Sequence, residues 1–118
     1  MSVTLLRLSN FIEEFRKVDS EMQAQTMLTL LYVARMEKTD KPATIKDVGE
    51  YLGVTSASAS RNVASLAQWS RHQRAGHDLI EANEDPSFRS QKLITLTSKG
   101  RRFIKTLEDN YGRFTAGE

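Results

Sequence analysis

The stretch from Thr44 to Leu66, TIKDVGEYLGVTSASASRNVASL, admits few folds. Ile45, Val48 and Leu52 fall three and four apart, so they share one face of a helix over about 45–52. Thr44 stands where an N-cap hydroxyl would hold the first free backbone N–H groups. Gly53 takes a positive φ at low cost, which stops the helix and turns the chain. Val54 can plug the corner. Thr55 or Ser56 then caps a second helix with Ala59, Val63 and Leu66 turned inward. The pattern is two short helices joined by a tight turn.

The outer face of the second helix is unusual for a solvent surface. It opens with Ser56, Ala57, Ser58, Ser60, Arg61 and Asn62, with no Glu or Lys. Such a helix is slim and rich in donors at its N-terminal end, as one lying in a DNA major groove must be. Charge is distributed to match. The chain carries +2 overall, but residues 1–54 hold 7 basic and 8 acidic side chains, whereas 55–118 hold 10 and 7. A nucleic-acid surface would need the excess there.

Around this motif the chain of 118 residues reads as one domain. A first helix over 4–18 carries the stripe Leu5, Leu8, Ile12 and Phe15, which must be buried within the domain or against a second copy. Asp19 or Ser20 is expected to cap a second helix over 21–36. Its face is expected to be Ala24, Met27, Leu28, Leu31 and Ala34, with Leu30, Tyr32 and Val33 beside it. Residues 37–42 are charged, end in proline and form a loop. Residues 43–45 suit a very short strand. Beyond Leu66 the second motif helix is expected to run on, as far as Arg74, until Gly76 ends it. Strands are expected at 79–82 and 92–96, with 83–90 as a polar hairpin tip. Thr97 or Ser98 caps a last helix with Phe103, Ile104, Leu107 and Tyr111 on one stripe. Gly100 near its start permits close packing.

The resulting fold class is mainly α with a small β-hairpin wing (α+β): a winged helix-turn-helix. The helix-turn-helix spans about 44–74 and the wing about 78–96. Helices expected at 4–18 and 98–112 flank them, and dimerisation is their expected task.

The segments SASRNVASL (58–66) and LITLTSKGRRFI (93–104), with Asp85 followed by Arg89 in the hairpin, resemble the MarR family of bacterial transcription regulators. The resemblance covers about residues 27–107, and ITLTSKG (94–100) is its most specific part. It implies a homodimer built from the terminal helices, recognition helices in successive major grooves and wing arginines in the minor groove. It also implies release of DNA by a small-molecule effector or an oxidant. This chain has only one helix after the wing, a longer stretch at 69–77, and three residues between Asp85 and Arg89 where one is typical.

The expected function is that of a sequence-specific DNA-binding transcription regulator, acting as a repressor on a pseudo-palindromic site. The residues expected to meet double-stranded DNA are Thr55, Ser56, Ser58, Ser60, Arg61, Asn62, Arg71, Arg74, Arg89 and Lys92. Lys99, Arg101 and Arg102 can add to backbone contact. The alternatives are a winged-helix module for protein–protein assembly and a plasmid or replication DNA-binding protein. No cofactor is expected. His72 and His77 are spaced five apart, unlike the three or four of helical metal sites, so no metal is expected. There is no glycine-rich phosphate loop and no nucleophile elbow, and the chain reads as a non-enzyme. It has no cysteine, which leaves no thiol for redox sensing. No apolar run is long enough for a membrane span, and the expected location is cytoplasmic.

Overall fold

The structure, a computed structural model, describes residues 3–67, 76–88 and 90–112. Within them the order is α1 (Val3–Val18), α2 (Ala24–Glu37), α3 (Ile45–Leu52), α4 (Ser56–Leu66), β1 (Ile80–Glu84), β2 (Lys92–Leu96) and α5 (Ser98–Tyr111). This is a winged helix-turn-helix, mainly α with a two-stranded antiparallel wing.

The helix-turn-helix forms where its local signals put it. The Thr44 hydroxyl accepts from the Asp47 N–H, and the Asp47 carboxylate accepts from the Thr44 N–H, both at 3.1 Å. That reciprocal pair satisfies two N–H groups that the first turn of α3 would otherwise leave free. Gly53 ends α3 at φ 70°. Thr55 caps α4, its hydroxyl accepting from the Ser58 N–H at 3.1 Å. The core beneath gathers Phe15, Leu30, Val33, Val48, Ala59, Leu66, Leu79, Ile80 and Ile94, all buried.

The hairpin pairs Ile80 with Leu96 through to Glu84 with Lys92. Its tip is therefore 85–91 rather than 83–90, because Asn83 and Glu84 lie in the ladder. The strand expected at 43–45 shrinks to one bridge, in which the Ile94 N–H donates to the Ala43 carbonyl at 2.8 Å. Thr97 caps α5 and also donates its hydroxyl to the Asp78 carbonyl at 2.7 Å. Gly100 lets α5 sit on the wing root: a Cβ there would lie 1.9 Å from the Leu79 carbonyl oxygen.

Two helix limits differ from expectation. The second motif helix, expected to run toward Arg74, ends at Leu66, and residues 68–75 lie outside the described residues. Ala67 is extended. The N–H groups of His77, Asp78 and Leu79 return to the carbonyls of Ser65, Ala67 and Leu66 at 3.2, 3.1 and 2.8 Å. The returning chain thus satisfies acceptors that a longer helix would have used. Close by, α2 begins at Ala24, and neither Asp19 nor Ser20 caps it. The Asp19 carboxylate accepts from the Glu21 N–H at 2.9 Å in a tight turn, which lets Met22 enter the core before the helix begins.

The buried face of α2 is also rotated from the expected one. It carries Thr26, Thr29, Leu30, Val33 and Ala34, whereas Ala24 and Leu28 are exposed. Apolar residues surround most of this helix, so hydrophobicity alone does not orient it. On α1 only Phe15 is buried. Leu5, Leu8 and Ile12 stay 66%, 42% and 49% exposed. Edge-to-face ring contacts join Phe15 to Phe11 and Phe103, and Phe11 to Tyr111, at 5.3–5.5 Å. These contacts fix the later half of α1 against α5.

Candidate nucleic-acid interface

The short, capped α3 and the turn at Gly53 present α4 with its N-terminal end outward. Ser56, Ala57, Ser60 and Arg61 are exposed along it, and Ser58 is half-buried. The Arg61 guanidinium donates to the Ser58 hydroxyl at 2.9 Å, a contact within one turn that leaves most of its five donors free. Thr55 is exposed, but its hydroxyl is occupied as the cap.

Asn62 is not on this outer face. It is 7% exposed and turned toward α2. Its amide oxygen accepts from the Thr26 hydroxyl at 2.9 Å, and its amide nitrogen donates to the Gln25 side-chain oxygen and the Ser58 carbonyl, each at 3.2 Å. Both ends of the amide are engaged, so Asn62 orients the helix and cannot pair with adenine. Thr26 at a core position of α2 was the signal for this, since a buried hydroxyl needs a polar partner.

An open cleft runs between the α3 N-terminus, the outer side of α4 and the wing. Its rim carries Lys46, Ser56, Ser60, Ser90 and Lys92. Lys92 is exposed opposite Glu84 in the hairpin. Sequence reading missed Lys46, which follows the Thr44 cap by two residues and shares the cleft with Lys92. Arg71, Arg74 and Arg89, like His72, lie outside the described residues. Arg101 is paired with Glu37 at 2.5 Å, and Lys99 donates to the His77 carbonyl at 3.0 Å. Both serve contacts inside the fold. His77 faces the Asp19 carboxylate at 3.3 Å, which ties the turn before α2 to the segment entering the wing.

A second concavity lies on the opposite side, between α1, α2 and α5. It is a mostly apolar groove of about 400 Å³ lined by Phe11, Leu28, Leu31, Ile104, Leu107 and Tyr111 among others. At its mouth Tyr32 and Tyr51 stack with ring centroids 4.4 Å apart, and the Arg35 guanidinium lies over both rings. Burial, and secondarily the Asp47 carboxylate, pushes the Tyr32 phenol up from its ordinary value. Among the described residues no helix is long and apolar enough to cross a membrane.

No protein-family model matches the sequence, and no curated protein matches it. Solved structures do. A mutant of MepR from S. aureus superposes with a TM-score of 0.71 at 16% identity, over 97% of this chain and 73% of that one. MepR in its DNA complex gives 0.66 at 17%, over 95% and 85%. A MarR-like transcriptional regulator from Thermotoga maritima gives 0.62 at 21%, over 95% and 77%. PcaV from Streptomyces coelicolor, in complex with its natural ligand, gives 0.58 at 18%, over 93% and 70%. What is shared at such identities is architecture: the chain has the winged helix-turn-helix fold of the MarR-like transcription regulators.

Proposed function

We propose that this protein is a sequence-specific DNA-binding transcription regulator that acts as a repressor. The observation that carries the reading is the outer face of α4. Ser56, Ser60 and Arg61 are exposed on a narrow helix, with Lys46 and Lys92 across the adjoining cleft. In this reading α4 enters the major groove, Arg61 reads a base edge, and Lys46 and Lys92 hold phosphates. Arg71, Arg74 and Arg89 extend the basic set in sequence. The wing follows the adjacent minor groove. The DNA complex of MepR, which shares the fold, supports the assignment.

The exposed apolar side of α1 supports a homodimer, which would carry two copies of α4 to a pseudo-palindromic site. The groove between α1, α2 and α5 supports a small-molecule effector, since about 400 Å³ falls in the usual range of ligand sites. PcaV, of the same fold, binds a natural ligand.

Selection of bound duplexes from a random DNA pool tests the reading. The expected result is one enriched motif with two-fold symmetry and half-sites about 10 bp apart, or a multiple. Recovery of no motif, with no shift of any duplex at micromolar protein, would overturn it.

A further inference from the structure

Phe88 is 65% exposed at the tip of the wing, beyond the last ladder pair Glu84–Lys92. Among the described residues, the other large apolar side chains this exposed, Val3 and Leu5, belong to α1, and α1 packs on α5. The hairpin turn does not need a phenyl ring. Asp85 builds it: the Asp85 carboxylate accepts from the Ser87 N–H at 2.8 Å, and the Asp85 carbonyl accepts from the Phe88 N–H at 3.2 Å. The Phe88 carbonyl in turn accepts from the Gln91 N–H at 3.0 Å. Phe88 is thus held by its backbone while its ring projects into solvent.

Charge argues for what the ring meets. Residues 80–92 carry three carboxylates (Glu81, Glu84, Asp85) against two cations (Arg89, Lys92). Apart from Lys92 in the last ladder pair, a hairpin of that balance gains little from phosphates, so a wing tip that binds DNA needs a contact of another kind. The walls of the minor groove are deoxyribose, and apolar side chains can enter there and wedge between base steps. A ring on a pre-formed turn loses little conformational freedom in doing so. Pyrimidine–purine steps unstack most easily and would be the favoured place.

We infer that Phe88 is an apolar minor-groove contact, packing its ring against sugars and a deformable pyrimidine–purine step beside the half-site that α4 reads. The inference rests on the DNA-binding reading above and adds a residue of different chemistry to it. It assigns the wing part of its hold on DNA through shape and deformability instead of charge.

The test uses duplexes recovered from the random pool, with 2-aminopurine placed in turn at each step flanking the half-site. Binding of the unaltered protein should raise fluorescence at one flanking step. Phe88→Ala should abolish that rise and weaken binding on the order of tenfold, with the salt slope unchanged because no phosphate contact is lost. Phe88→Leu should restore part of both. Replacing the responsive step with a stiff A-tract should weaken the unaltered protein and leave Phe88→Ala nearly indifferent. Phe88 is exposed, so circular dichroism should show the variants folded. If the unaltered protein binds and Phe88→Ala matches it in affinity and fluorescence, the inference fails while the DNA-binding reading stands. If the unaltered protein binds no duplex, both fail.

Discussion

The Thr26 hydroxyl donates to the Asn62 amide oxygen at 2.9 Å, and both side chains are buried. This bond joins the first turn of α2 to the middle of α4. It sets the rotation of α2, whose apolar residues leave that rotation open, against α4. It also fixes which side of α4 faces outward, since the Asn62 nitrogen is held by Gln25 and Ser58 at the same time.

Thr26→Val should therefore destabilise the fold by about 1–3 kcal/mol, because it leaves a buried acceptor without its donor. Adding Asn62→Leu to Thr26→Val should cost less than the two single changes summed, since the polar demand is then removed from both sides. Urea unfolding of the four proteins checks this. Strict additivity would mean that the two residues do not act as a pair.

Gly100→Ala in a helix would ordinarily stabilise by up to about 1 kcal/mol. Here the sign should reverse. The new methyl would meet the Leu79 backbone carbonyl at 1.9 Å, and α5 would have to lift from the wing root. Thermal unfolding should show a lower midpoint, with a cost of about 1–3 kcal/mol as for other overpacked sites. A midpoint at or above that of the unaltered protein would show that this approach is not tight.

Leu8 and Ile12 lie about half-exposed on α1. In a homodimer, for which a stable interface buries about 2,000 Å² or more, they belong to the buried surface. Sedimentation at micromolar concentration should give a species of twice the 13.4 kDa chain mass. Ile12→Glu should shift it toward the single chain while leaving far-ultraviolet dichroism largely intact. A single chain from the unaltered protein would contradict the dimer.

Much of this fold was legible because its signals are local. Thr44, Gly53, Thr55 and Thr97 cap or end helices by contacts with residues three or four away, and each does so here. The misjudged points depend on distant partners. The end of α4 at Leu66 is decided by the N–H groups of residues 77–79, and the face of α2 by Asn62. Asn62 itself read as a donor beside Arg61, because helical spacing puts it at the edge of the outer face. Only Thr26 opposite reveals that it points in. Lys46 escaped notice because it belongs to α3, and only the packing of α3 on α4 brings it to the cleft shared with Lys92. At the wing, residue types gave the hairpin, but which tip side chain is exposed depended on the turn that Asp85 organises.

The central claim is that α4 reads sequence while the flanking lysines hold phosphates. A salt titration of Arg61→Ala and Lys46→Ala on the selected duplex and on a scrambled one tests it most directly. Arg61→Ala should cost about 1–3 kcal/mol on the selected duplex, far less on the scrambled one, and relax preference at one position per half-site. Lys46→Ala should weaken both duplexes alike and reduce the salt slope by about one. If Arg61→Ala weakens both duplexes equally while Lys46→Ala alone removes discrimination between them, α4 is not the reading helix.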